Sequence, residues 1–257
     1  MVIMTEFVLH AYVFILGLCI GSFLNVCIYR LPEGKSLTMS RSECPACGNM
    51  IRFYDNIPVL SYLILRGHCR HCKVPIPIRY VFVELITGFC AICTFIKFGL
   101  TLEGLVYFIF IAALIVVIYI DIDHKIIPNT ITLPGIPICF IASFALTSIT
   151  TKASIIGILA GGGSLFSVAW VYKLITKREG MGGGDIKLLA MIGALIGWKG
   201  VLFTIYAASV AGTLVGIPVI LLNKKNFRFA IPFGPFLSIG AIAYIFYGEV
   251  VITWYFL

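Results

Sequence analysis

The stretch G-L-V-Y-F-I-F-I-A-A-L-I-V-V-I-Y-I-D-I-D-H-K, residues 104–125, decides the fold. Its first part, 104–120, carries no charge; Asp121, Asp123, His124 and Lys125 then follow almost at once. An apolar run of this kind approaches the roughly 20 residues a helix needs to cross a bilayer. A helix greasy on every side also has no place on the surface of a soluble globule. The whole chain agrees: of its 257 residues 60% are hydrophobic and 12% charged, with a mean hydropathy of +1.06, against roughly 25% charged in soluble domains. A water-soluble globule and a disordered chain are both excluded.

Working outward, residues 1–29 hold only Glu6 and His10 as ionisable side chains and lack the basic start and small-residue cleavage site of a secretory signal. They read as a retained first span. Residues 30–79 are different: charges, Pro32, Pro45, Pro58, Pro75, Pro77 and four cysteines break every apolar run, as in an extramembrane segment. Apolar stretches return at about 80–96, 102–120, 131–149, 154–172, 186–198, 201–222 and 231–257. The expected fold is all-α, a polytopic membrane protein of about eight transmembrane helices with a small zinc-binding cytoplasmic loop domain.

Orientation follows from the basic residues, because cytoplasmic loops carry the excess of Lys and Arg. Alternate connections sort them: 16 of the 19 fall on one side, eight of these between Arg30 and Arg79, and only Lys97, Lys152 and Lys199 fall on the other. The crowded side is expected to be cytoplasmic, with both termini outside. The net charge of +8 is therefore topological, and no nucleic-acid partner is expected.

Within 30–79, Cys44 and Cys47 form one C-x2-C step, Cys69 and Cys72 a second, with 21 residues between them. Two residues between cysteines let one tight turn aim both sulfurs at a single ion. Two such turns complete a tetrahedral thiolate shell, the pattern of structural zinc. A reducing cytoplasm disfavours disulfides there. Cys90 and Cys93 repeat the spacing inside an apolar span, where thiols act as small hydrophobes.

The chain has four aspartates, and Asp121, Asp123 and Asp185 stand where spans meet the cytoplasmic face. An acid at the hydrocarbon edge is a functional candidate. Two carboxylates brought together in a low-dielectric place cannot both ionise easily, so one holds a proton while the other accepts one, a pair suited to activating water against a peptide carbonyl. Asp121 lies closer to the bilayer than Asp123, and Gly182, Gly183 and Gly184 before Asp185 leave room for an extended substrate or a neighbouring helix.

In its motifs the chain resembles the bacterial type IV prepilin peptidases, leader peptidases of the membrane aspartyl protease group that share a G-x-G-D signature. The resemblance rests on G-S-F-L-N-V (21–26), R-S-E-C-P-A-C (41–47), the second cysteine pair followed by P-I-P-I-R-Y-V-F-V-E, D-I-D-H-K-I-I-P-N (121–129), G-G-G-D-I-K-L (182–188) and P-F-G-P-F-L (232–237). It implies catalytic acids at Asp121, seven residues before Pro128, and at Asp185. It also implies three regions: 1–29 as a first transmembrane segment, 30–79 as a zinc-binding loop domain and 80–257 as a transmembrane aspartyl protease domain. Such enzymes of the bacterial inner membrane cut short leaders from prepilins or pseudopilins after a glycine. Those with the large cysteine loop also methylate the new N-terminus, with S-adenosylmethionine as donor. The family often has Gly-Lys before the third cysteine, a dipeptide associated with methylation, whereas this chain has Gly67-His68. A proton-coupled transporter using the interfacial acids is the alternative, and a non-catalytic membrane scaffold displaying a zinc ribbon a third.

Overall fold

The computed structural model describes residues 2–37, 42–177, 182–222 and 232–256. Arg41, Arg178, Lys224, Lys225 and Arg228, which entered the charge argument above, lie outside the described residues. The chain divides into two compact units, Met1–Val116 and Val117–Leu257. Among the described residues there are helices and turns, with two isolated bridges and no strands.

In the first unit α1 (Val2–Arg30) packs along α3 (Arg79–Phe98). Small residues make the close approach possible: a Cβ at Gly17 would lie 2.7 Å from the Cα of Gly88, and one at Gly21 would lie 2.6 Å from the Cα of Glu84. With lipid as apolar as leucine, such backbone proximity is what drives two spans together. Helix α1 ends where Pro32 cannot continue it and Gly34 turns at φ 66°. Pro75 and Pro77 hold the chain extended until α3 can begin, and Gly99 closes that helix at φ 68°. The intervening loop carries a 3-10 turn at Phe53–Asn56 and the short α2 (Leu60–Ile64). Helix α4 (Leu102–His124) is capped by Thr101, whose hydroxyl accepts the Gly104 N–H at 3.1 Å, and the boundary between the units falls within it.

The second unit is built around α7 (Gly183–Leu222), with α5 (Asn129–Ala142), α6 (Thr151–Thr176) and α8 (Gly234–Phe256) packed on it. Leu188, Leu189, Met191, Ile192, Ala194 and Leu195 are buried almost completely. Gly157 and Gly161 of α6 sit against the backbone carbonyls of Gly193 and Leu189, and Ser154 donates to the Ala194 carbonyl at 2.5 Å. Gly157→Ala forces a methyl into the Gly193 carbonyl and should cost about 2 kcal/mol of stability, as overpacking does. A lowered midpoint of thermal unfolding in detergent would report it.

Among the described residues five helices are long and apolar enough to cross a membrane: Glu6–Arg30, Arg79–Phe98, Leu102–His124, Thr151–Thr176 and Gly183–Pro218. Two shorter apolar helices, Asn129–Ala145 and Gly234–Gly248, add to them. The long α7 is broken at Gly197, where φ 70° and ψ 179° leave the helical region for one open essentially to glycine. That break falls inside the expected stretch 186–198, two residues before the gap expected at 199–200, and divides α7 so that eight apolar helical segments stand among the described residues. The difference lies in length. The stretch expected at 131–149 is helical only over α5, which contains Pro134 and Pro137 and passes into a 3-10 turn at Ser143–Ala145.

Candidate active site and metal centre

Asp121 lies in the last turn of α4, 5% exposed, and its Oδ2 accepts the backbone N–H of Gly234 at 3.0 Å. Gly234 opens α8, and a Cβ there would stand 2.7 Å from that same oxygen. Asp185 lies in the first turn of α7, and the two carboxylates are close enough for the charge of one to act on the other. The Oδ1 of Asp185 is buried and meets no donor among the described residues. Asp123 is exposed. Of the two acids at this helix end, Asp121 is the one buried in the protein and Asp123 the one left exposed.

Ile127 forms the shared wall. A Cβ at Gly184 would lie 2.9 Å from the Ile127 Cβ, and one at Gly234 would lie 3.0 Å from its Cδ1. Gly182 and Gly183 behave differently, since a Cβ at Gly183 would meet nothing within 4 Å and one at Gly182 would make only ordinary contacts, 3.8 Å from the Asp185 Oδ2 and 4.0 Å from the Gly184 nitrogen. The glycine run is thus tight at Gly184 and open at the two residues before it. Lys187 donates to the Asn129 side-chain oxygen at 2.8 Å, tying the start of α7 to the start of α5. Gly234, Ile127, Asn129 and Lys187 lie within the motifs of the sequence, yet little that is local marks them as parts of this site. The one signal was a glycine wedged between aromatic and proline residues in P-F-G-P.

The four cysteines of the loop come together in the first unit, all Sγ atoms within 4.8 Å of one another. The Cys44 and Cys72 sulfurs are 3.8 Å apart, the edge of a tetrahedron whose centre-to-sulfur distance is about 2.3 Å, as for zinc. The two halves are built alike. Glu43 bridges Met50 as His68 bridges Pro75, the N–H of Cys44 bonds the Asn49 carbonyl at 2.9 Å, and that of Cys69 bonds the Val74 carbonyl at 2.9 Å. Each turn is closed by a left-handed residue directly after its second cysteine, Gly48 at φ 67° and Lys73 at φ 59°.

Backbone N–H groups of Cys72 and His71 aimed at its sulfur lower the Cys69 thiol to about 6. Cys72, despite the Val74 N–H beside it, is pushed up to about 11 by desolvation and the neighbouring sulfurs. One thiol falls and another rises because four clustered sulfurs cannot all carry charge until a cation neutralises them. The donor set fits a divalent soft metal and leaves no open position. Arg70, between the second pair, makes a bidentate ion pair with Asp55 at 2.8 and 2.6 Å, and these hydrogen bonds hold the Asp55 carboxyl below its usual range.

Residues 15–98 match the bacterial peptidase A24 N-terminal domain and residues 108–217 match the type IV leader peptidase family. The chain is 36% identical over 263 residues to the prepilin leader peptidase/N-methyltransferase of Burkholderia pseudomallei (strain 1026b), covering 93% of this chain and 85% of that protein. The chain belongs to the type IV leader peptidase family.

Further family members of the same name are 35% identical in Pseudomonas putida and 36% in Pseudomonas aeruginosa, each over 91% of this chain and 89% of the relative. No solved structure matches it. The region matching the N-terminal domain contains the four-cysteine cluster, and the region matching the leader peptidase family contains both aspartates. Gly234 lies beyond the matched residues, so its contact with Asp121 makes a specific prediction for this family member. Gly234→Ala places a methyl against the carboxylate and Ile127 and should lower leader cleavage about 10-fold or more, since angström-scale misplacement is costly. Insertion of the protein into membranes should be unchanged; mass spectrometry of the product and membrane fractionation check the two parts.

Proposed function

We propose that this chain is an aspartic endopeptidase of the bacterial inner membrane that removes the short leader of type IV prepilins or pseudopilins and then methylates the new N-terminus. The observation that carries this reading is the convergence of Asp121 and Asp185, 64 positions apart in sequence, at the ends of two helices beside an open glycine run, in a chain of the leader peptidase family. Asp121, whose Oδ2 already takes one N–H from Gly234, accepts the proton of the attacking water. Asp185, with an oxygen that no donor among the described residues occupies, holds the proton that polarises the scissile carbonyl and later passes to the leaving amine. Gly182 and Gly183 leave the substrate backbone room to lie along the site. A proton-coupled transporter finds no supporting feature, because the acids stand at helix ends rather than at mid-span.

Residues 30–79 act as a zinc-binding loop domain after the first span, 1–29, and residues 80–257 as the protease domain. Zinc held by Cys44, Cys47, Cys69 and Cys72 supplies shape rather than chemistry, because four thiolates close its shell. S-adenosylmethionine supplies a methyl group on a positively charged sulfur. Gly67 sits at φ 70°, and a Cβ there would press the Tyr62 hydroxyl at 2.9 Å; His68 is exposed, with its Nδ1 2.6 Å from the Arg66 carbonyl. Substitution at either should weaken methylation more than cleavage. The excess of Lys and Arg in alternate connections supports a cytoplasmic zinc domain and cytoplasmic aspartates, with both termini outside.

The test exposes a candidate prepilin to purified enzyme and S-adenosylmethionine and reads cleavage position and added methyl together by mass spectrometry. An uncut prepilin, in a series covering pilin and pseudopilin types, would remove the reading.

A further inference from the structure

A cavity of about 430 Å³ in the first unit has no role in peptide hydrolysis. It lies between the C-terminal part of α1, the start of α3 and both cysteine turns, with Ser22, Asn25, Tyr29, Tyr62, Tyr80 and Glu84 in its wall. Its size falls within that of small-ligand sites. Two of the lining groups stand out. Glu84, on a membrane-length helix, is only 8% exposed. Its Oε2 accepts the Val59 N–H at 2.8 Å, and the Ser22 hydroxyl also bonds the carboxylate. Both partners are neutral. Val59 reaches Glu84 with φ 60° and ψ −50°, a conformation that a β-branched residue adopts only under strain. Strain of that kind gathers at ligand sites.

Asn25, 9% exposed, donates through Nδ2 to the Tyr80 carbonyl at 3.1 Å. That bond fixes its amide, and its Oδ1 is buried without a donor among the described residues. Of the other ionisable groups around the cavity, Asp55 is held by Arg70, Lys35 by Glu33, and Arg30 by the Ser36 and Leu37 carbonyls, while Glu43, which is exposed, and His71 also line it. The buried Glu84 carboxylate and the Asn25 amide oxygen therefore share the wall of a cavity as acceptors, neither bonded to a cation among the described residues. A primary ammonium, with three N–H donors and a positive charge, answers both.

We propose that Glu84 and Asn25 bind the α-ammonium of the freshly cut pilin and present it for methylation; this rests on the methyl-transfer part of the proposed function. Before transfer the Glu84 carboxylate takes one proton from the ammonium, which frees the nitrogen lone pair. The nitrogen then forms its bond to the methyl carbon as that carbon's bond to the donor sulfur breaks, with the bonding pair left on sulfur, and the proton on Glu84 passes to water. Tyr62 links the site to Gly67, because a side chain at Gly67 would push the Tyr62 ring that lines the cavity.

The test uses full-length enzyme and a fluorescent peptide of the mature pilin N-terminus, either with a free α-amine or N-acetylated, read by anisotropy without donor. Wild-type protein should bind the free amine about 10-fold or more tightly than the acetylated form, the scale of a charge-assisted hydrogen bond. Glu84→Gln keeps an oxygen for the Val59 N–H but should erase that preference and raise KM for pre-cleaved pilin, with bound zinc and leader cleavage unchanged. If the E84Q protein loses its zinc, Asn25→Ala carries the test, with several-fold weaker amine binding expected. An E84Q enzyme with undiminished amine preference would overturn the proposal. So would loss of labelled S-adenosylmethionine binding with the amine preference intact, which would make the cavity the donor's seat. Wild-type enzyme unable to methylate pre-cleaved pilin would instead remove the methyl-transfer reading, and the amine site with it.

Discussion

Asp185→Asn enzyme, reconstituted in lipid with a prepilin, is expected to leave the leader uncut, with turnover lowered about 10³-fold, the scale of losing a positioned acid or base. Asparagine copies the shape of the side chain but cannot release a proton to a leaving amine. The substitution should not unfold the protein, because the Asp185 Oδ1 has no hydrogen bond among the described residues to lose. Asp121→Asn should be as inactive for the complementary reason: its amide oxygen can still accept the Gly234 N–H but cannot take the proton of water. Asp123→Asn should retain substantial activity, since that side chain is exposed at the helix end. Mass spectrometry of the prepilin, with membrane fractionation as the control for insertion, reads all three. Full cleavage by the Asp185→Asn protein would eliminate the dyad. An inactive Asp123→Asn beside an active Asp121→Asn would keep the mechanism and exchange the partner.

The second large effect concerns the metal. Purified protein should contain about one zinc per chain, and joint replacement of Cys44 and Cys47 by Ser should release it. Apparent binding free energies of structural zinc reach about 10–16 kcal/mol, more than a loop of this size can recover from its own packing. Without the ion the paired turns should open, and methylation of a pre-cleaved pilin should fall to background. Leader cleavage should survive, because hydrolysis requires only the acids, water and an aligned carbonyl. Conversely, the Asp185→Asn protein should still methylate a pilin supplied with a free N-terminus. Elemental analysis and labelled S-adenosylmethionine give the two readouts. Two stable disulfides among these cysteines under reducing conditions would remove the zinc assignment, and an Asp185→Asn protein unable to methylate would show that the two chemistries are coupled.

Much of this was legible in the chain because charge in a membrane protein is scarce. Asp121 and Asp185 were conspicuous as acids directly beside apolar runs, and the paired C-x2-C steps carried their own geometry. The break at Gly197 lies two residues before the gap read at Lys199 and Gly200, so a division of this region was legible but its position was not. Facing was not legible. Helices such as α1 and α8 are apolar all round, so no periodicity tells which side meets protein and which meets lipid. The Gly234 amide reaches Asp121 across 113 positions and the Val59 amide reaches Glu84 across 25. Neither pairing leaves a local pattern, because each depends on how helices and loop dock rather than on how they form. Helix α5 came out shorter than its apolar stretch for a related reason: the stretch marks compatibility with lipid, not continuity of the helical ladder.

The two helices that begin beside the aspartates also set a dimension. Helix α5 has 14 residues, and the first half of α7 runs only from Gly183 to the break at Gly197. At 1.5 Å per residue each is about 21 Å long, well short of a hydrocarbon layer of about 30 Å. Hydrophobic mismatch of this size draws the bilayer inward around the short elements. The leaflet would then dip where the candidate dyad stands, letting water reach carboxylates that a flat membrane would cover and letting a pilin's apolar helix emerge early enough to offer its leader. Cleavage rate should therefore fall as acyl chains are lengthened in reconstituted vesicles, a dependence on lipid thickness that a site raised clear of the membrane would not show.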